Sequence, residues 1–274
     1  MLQESIKIRH GGENKLSQRN TMAIAFLIIG LVIGFGIGIF IPFGGPPVDN
    51  SLQTVQNRGT LIVGTSADYP PFESLNATND VVGFDADLME YVADNMGVTL
   101  VWQNMEFDSL VGACTAGTID VIAAAMFITE ERAAVLQHSI PYLQTQMSVV
   151  VMNDSALAIS SLEDLVGSTV GVQTGTVEDD TISEIAGVTV SRFATADLMF
   201  AALDVGTVDA IFLDTPVVDA YAGTYDIKTI LQLAAELTVL YVGRNADSLL
   251  IAINAAISAA LQDGTIDGLV HEWL

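Results

Sequence analysis

The chain has 274 residues, 51% of them hydrophobic, with nine basic residues against 33 acidic ones and a formal net charge of −24. The charge is uneven, because Lys7, Arg9, Lys15 and Arg19 sit at the start and only five basic residues face 31 acidic ones after residue 20. Such a surface repels nucleic acid and anionic ligands and tolerates salt, which leaves neutral zwitterions or cations as natural partners. A single cysteine, Cys114, and three scattered histidines offer no disulfide framework, no CxxC pair and no metal centre, and no cofactor is expected.

In chain order, residues 1–20 form a basic segment. Met22 to Ile41 is then a run of twenty residues without a charge. That length spans a bilayer as a helix, and the basic flank predicts a cytoplasmic N-terminus with everything after it outside. The expectation is an uncleaved single-pass anchor at 21–43, with a cleaved signal peptide as the rival; Pro42, Pro46 and Pro47 follow the apolar run in place of a small-residue cleavage site. Residues 44–56 read as a Pro- and Gly-containing linker.

Strand-like and helix-like runs then alternate. The first block has strands at 61–66, 99–104 and 120–126 and helices at 85–96, 107–116 and 129–136. In the helix at 85–96, Asp85 suits a capping position, Leu88, Tyr91, Val92 and Met96 make an apolar stripe, and Gly97 is a stop. A second block repeats the pattern, with strands at 148–152, 169–175, 189–193, 208–214 and 226–231, a short helix opened by Ser161, and helices at 177–185, 196–205 and 216–222. Two helices close the chain at 248–264 and 265–274. Alternation of this kind predicts α/β lobes built on largely parallel sheets.

Ligands bind open parallel sheets at the carboxyl ends of their strands. In the first lobe those ends bring Ser66 to Phe72, Phe107 and Met126 to Arg132. In the second they bring Thr174 to Glu178, where Gly175 and Thr176 precede a helix with free N–H groups, and Asp214. An arginine with aromatics on one side and an acid with a helix N-terminus on the other make a complementary set for a zwitterion. Each residue also has a plainer reading: Arg132 in a surface ion pair, Tyr69 and Phe107 as packing aromatics, Asp214 as the cap of the helix carrying Pro216.

The segments LIVGTSADYPPFESLNATNDVVGFDADLMEYVADNMGV, FDSLVGACTAGTIDVIAAAMFITEERAAVLQHSIPY, VGVQTGT, GTVDAIFLDTPVV and INAAISAALQDGTIDGLVHEWL, in this order, resemble the solute-binding proteins of polar amino-acid ABC importers. The resemblance covers nearly all of residues 55–274. It implies a two-lobed type II periplasmic-binding-protein clamp with two interlobe crossovers, lobe 1 being 57–145 and 238–274 and lobe 2 being 146–237. It implies that Arg132 grips a ligand α-carboxylate and that Asp214 takes the α-amino group. Tyr69 and Phe107 would flank the ligand side chain, and Gly175 with Thr176 would offer backbone to the carboxylate. Ser66, Ala125 and neighbouring Asp68, Ala124, Gln173 and Glu178 fall where ligand side chains are sorted.

Two departures stand out. Phe127 occupies a position where the family usually has Thr or Ser, and His138 replaces a usual Phe. Tyr69, Phe107 and Phe127 could wall an aromatic box, as in the ectoine-binding members, or Phe127 could point into the core. The function implied is the extracytoplasmic receptor of an ABC importer, not an enzyme, handing a small amino acid or related zwitterion to a permease and its ATPase. A compatible-solute receptor and a cyclohexadienyl-dehydratase-like enzyme with Glu178 as acid are the alternatives.

Overall fold

The structure, a computed structural model, describes residues 49–274. The expected cytoplasmic segment and membrane anchor therefore lie outside the described residues. Among the described residues no single helix is long and apolar enough to cross a membrane.

The linker expectation gives way early. Helix α1 (Ser51–Arg58) forms inside it, and Val55 is buried. The helix is tied to a distant part of the chain: the Asp49 carboxylate accepts from the Ser248 N–H, and the Ser51 and Ser248 hydroxyls lie 3.0 Å apart.

Lobe 1 is built on a five-stranded sheet. Strands β1 (Thr60–Thr65), β5 (Thr99–Asn104) and β6 (Val121–Ile122) run parallel, in the order β5-β1-β6. The short strand β13 (Tyr241–Gly243) adds antiparallel beside β6, and β7 (Leu136–His138) pairs antiparallel with β13 at the edge, so that it runs in the same sense as β6. A small side sheet of β2 (Asp68–Tyr69), β3 (Glu73–Leu75) and β4 (Val81–Val82) carries the aromatic segment after β1. Helix α2 (Phe84–Met96) packs beneath it through buried Phe84, Leu88, Met89 and Val92.

Asp85 is not the cap of α2. Gly83 holds that position at φ 134°, and a side chain there would strike the Phe72 carbonyl. Asp85 is instead buried in the first turn, where its carboxylate accepts from the Ala125 N–H at 2.8 Å and the Tyr142 hydroxyl at 2.7 Å. Burial raises its pKa to about 6 against those two bonds.

Lobe 2 has a second five-stranded sheet. Strands β9 (Thr169–Gln173), β10 (Thr189–Phe193) and β11 (Ala210–Asp214) are parallel, in the order β10-β9-β11. Beyond β11 lie β8 (Leu143–Met152) and then β12 (Ile227–Thr238), each antiparallel to its neighbour. Each sheet thus has four strands in one direction and one, β13 in lobe 1 and β8 in lobe 2, against them, so the largely parallel sheets that alternation predicts carry one reversed strand apiece. The chain passes from lobe 1 to lobe 2 between β7 and β8 and returns between β12 and β13. At the passage Tyr142 N–H donates to Thr238 O at 3.1 Å, and Phe127 bridges Thr238.

Helices α3 (Leu110–Thr115) and α4 (Glu130–Val135) belong to lobe 1, and α5 (Val177–Ser183), α6 (Ala196–Asp204) and α7 (Thr215–Tyr221) to lobe 2. Phe107–Ser109 is a single 3-10 turn before α3, so the helix expected at 107–116 begins later. The terminal helices α8 (Asp247–Asp263) and α9 (Thr265–Trp273) pack back onto α2 in lobe 1, where the Trp273 indole N–H donates to Asp87 at 2.7 Å.

Candidate ligand site

A cavity lies between the lobes at the carboxyl ends of their parallel strands. Lobe 1 contributes Tyr69, Phe107, Ala124, Ala125, Phe127 and Arg132; lobe 2 contributes Gln173, Thr176, Val177, Glu178 and Asp214.

Arg132 is held by its local sequence. Thr129 caps α4 by accepting from the Arg132 N–H, which makes Arg132 the third residue of the helix and leaves Glu130 and Glu131 in its exposed first turn. Its side chain turns inward, is buried, and makes no ion pair among the described residues. The guanidinium donates to the Phe127 carbonyl at 2.8 Å and, across the cleft, to the Gly175 carbonyl at 3.1 Å. It also lies over the Phe107 ring, 5.5 Å from the centroid. Burial pushes its pKa down, opposed by the negative ends of Tyr241, Glu178, Asp180 and Glu131. The surface ion-pair reading therefore fails.

Asp214 ends β11 and starts α7, but its side chain makes no cap bond. Its carboxylate accepts from the Tyr69 hydroxyl across the cleft at 2.9 Å and from Thr145 on β8 at 3.3 Å, while the Asp214 N–H donates to the Tyr69 oxygen at 3.1 Å. Burial, then the nearby Glu178 charge, drives the Asp214 pKa well above the ordinary carboxylate range. The same burial raises the Tyr69 hydroxyl.

Glu178 lies in the first turn of α5 and is 2% exposed, with its Oε1 atom buried and without a hydrogen-bond partner. Desolvation moves its pKa up to about 7, against its own N–H, the Thr176 hydroxyl and the Arg132 charge. Glu73 also buries an unpartnered oxygen, but it faces Asp85 within lobe 1 and does not line the cavity.

The remaining candidates divide. Phe127 does both things foreseen for it: it lines the cavity and packs with Met147 and Val149, while its carbonyl accepts from Arg132 and from the Tyr241 hydroxyl at 3.0 Å. His138 packs edge-on against the same Tyr241 ring. Ala125 lines the cavity at φ 48°, a conformation that costs an alanine on the order of 1 kcal/mol. Thr176 lines it too, but its hydroxyl donates to Gln173 O and its oxygen caps α5 by accepting from Asp179. The Gly175 N–H is spent on Asp179 at 3.2 Å, so the backbone donor expected there is occupied. Ser66 is buried beside the site and donates to Asp68 at 2.6 Å rather than lining the cavity.

Asp68 in turn joins the lobes, accepting from Gln173 Nε2 at 3.2 Å and the Ala196 N–H at 3.0 Å. Thr145, Tyr241 and this Asp68 tie were not foreseen. The one sequence signal for Thr145 is its place as a buried polar residue in an alternating strand beside a crossover.

The arrangement opposes one buried cation to two buried acids between aromatic walls, which is the electrostatic frame for an amino acid's two charges. Comparison with known proteins agrees. L-cystine-binding protein TcyJ of Escherichia coli (strain K12) is 27% identical over 272 residues, 98% of this chain and 97% of that protein. ABC transporter arginine-binding protein 1 of the same organism is 30% identical over 226 residues, 77% of this chain and 88% of that one. A truncated, arginine-bound ArgBP from T. maritima superposes with a TM-score of 0.73 at 37% identity, covering 76% of this chain and 99% of that one. These relatives are named for binding rather than for catalysis. Residues 61–274 of this chain match the profile of the bacterial extracellular solute-binding proteins, family 3, and the chain belongs to that family.

Proposed function

We propose that this chain is the extracytoplasmic receptor of an ABC importer, taking one α-amino acid between its lobes and presenting it to a permease. The observation that carries this reading is the convergence of Arg132 from lobe 1 and Asp214 from lobe 2 on one cavity. Arg132 donates to the Gly175 carbonyl, and Asp214 accepts from Tyr69 and Thr145. An α-carboxylate would replace the Gly175 contact with a bidentate, charge-assisted pair, and an α-ammonium would restore charge to Asp214. Closure around the ligand excludes water, so each such bond is worth about 1.5–3 kcal/mol.

Relatives named for cystine, arginine and histidine share the α-amino acid group and differ in side chain. The common group is what Arg132 and Asp214 are suited to hold. A single membrane span at 21–43, read from sequence, would tether the receptor beside its permease.

The test is calorimetric titration of the full chain with amino acids, with ectoine, and with the decarboxylated amine of the best ligand. An amino acid is expected to bind and its amine to fail. Equal binding of the amine removes Arg132 from its role, and a preference for ectoine over all amino acids replaces the ligand class.

A further inference from the structure

We infer that Glu178 selects the side chain of the ligand, and that the ligand is an amino acid whose side chain ends in a cation. This rests on the clamp proposed above and extends it to the side chain of the ligand.

Charge and hydrogen bonds must balance around a buried ligand. Around the cavity stand one cation, Arg132, and two acids, Asp214 and Glu178. A zwitterion brings one charge of each sign, so with its carboxylate on Arg132 and its ammonium on Asp214 the second acid stays unmatched. Glu178 is the acid left over: Asp214 accepts from both Tyr69 and Thr145, whereas Glu178 keeps a buried oxygen with no partner. A buried carboxylate in that condition is costly unless a ligand supplies the missing donor.

An amino acid with a guanidinium, ammonium or imidazolium side chain supplies both donor and charge, and the set then balances. A neutral side chain can at best supply the donor, and an acidic one adds a third negative charge beside two. The Phe107 and Tyr69 rings suit the aliphatic and cationic parts of such a side chain. The unpartnered oxygen of Glu73 makes no similar demand, since it does not line the cavity.

The experiment is a calorimetric panel of arginine, lysine, histidine, glutamine, alanine and glutamate on the wild-type chain and on Glu178→Gln. Wild type is expected to bind at least one of the three basic amino acids about tenfold or more tighter than glutamine or alanine, and glutamate least. Glu178→Gln is expected to weaken that basic ligand by about tenfold or more and to leave glutamine unchanged or improved; retained glutamine binding also reports that the variant is folded. Wild-type preference for a neutral amino acid overturns the inference without any variant. So does a Glu178→Gln chain that loses all ligands in equal proportion, which would seat Glu178 on the α-ammonium. Failure of the underlying clamp looks different: no amino acid binds the wild type, or Arg132→Ala binds arginine as well as wild type does.

Discussion

Two buried acids of this molecule are alike in burial and opposite in surroundings. Asp85, in lobe 1, is wholly enclosed and has both oxygens answered by its own fold, one by the Ala125 N–H and one by the Tyr142 hydroxyl. Glu178, at the interlobe cavity, is almost as enclosed and has an oxygen that nothing answers. The difference separates two uses of the same costly group. A satisfied buried acid fixes chain geometry, here the strained Ala125 and the approach to Arg132, whereas an unsatisfied one at a cavity wall holds interaction energy in reserve.

The largest expected effect falls on the satisfied member. Asp85→Ala leaves the Ala125 N–H and the Tyr142 hydroxyl without partners, and the loss of stability should be about 2–4 kcal/mol, read from urea unfolding. Glu178→Gln in the same assay should cost nothing measurable or should stabilise. If both variants lose stability equally, the two acids do the same job and the contrast collapses.

Next comes ligand capture. Arg132→Ala should weaken the best amino acid by about 100-fold or more, and Arg132→Lys should recover only part of it, because an ammonium keeps charge but not the fork. Calorimetry reads both. Recovery by Lys to wild-type affinity would mean that charge alone holds the carboxylate.

The pH dependence sharpens the comparison further. Glu178 is raised from 4.5 to about 7, and Asp85 from 3.8 to about 6, each chiefly by burial. For each, the folded state holds its proton to higher pH than the unfolded chain does. Stability from each acid is therefore full below its unfolded value and falls as pH rises to the folded one. Melting temperature of the ligand-free protein should decline from about pH 4 to about pH 7, and Glu178→Gln should flatten the limb between about 6 and 7. Arg132, Asp214 and Tyr69 also face Glu178, and Asp214 titrates from a raised position as well, so the variant's difference profile is the measurement that isolates Glu178. A difference profile with no slope in that window removes Glu178 from the titration.

The smallest effect is at Tyr69. Tyr69→Phe removes the hydroxyl that spans the cleft to Asp214 but keeps the aromatic wall, and amino-acid affinity should change by about 1 kcal/mol or less. A loss as large as that for Arg132→Ala would make the hydroxyl a main ligand contact.

The sequence announced the alternating elements because strand and helix periods differ and because Gly97, Thr129 and Ser161 mark helix ends in place. It announced Arg132 because a cation is rare in so acidic a chain. It could not announce β7 and β13, three residues each, which are strands only because Tyr241 meets His138. Asp85 read as a cap for the same reason: a first-turn acid suits a helix end, and the partners that bury it stand 40 and 57 residues away. The Gly175 and Thr176 backbone N–H groups looked like open donors, and only the neighbouring Asp179 carboxylate and Gln173 carbonyl show them already taken.

The return of the chain to lobe 1 bears on how the molecule is made. Lobe 2 is one uninterrupted stretch from Leu143 to Thr238, complete in sequence once β12 exists. Lobe 1 is not, since its sheet waits for β13 and its flank for α8, joined to α1 by the Ser51–Ser248 contact across 197 residues. Closing so long a loop adds little to equilibrium cost but slows assembly. As the chain emerges, the lobe that begins first finishes last, and a chain cut between Thr238 and Tyr241 would keep the acids of the cleft while losing the strand that completes the sheet behind its arginine.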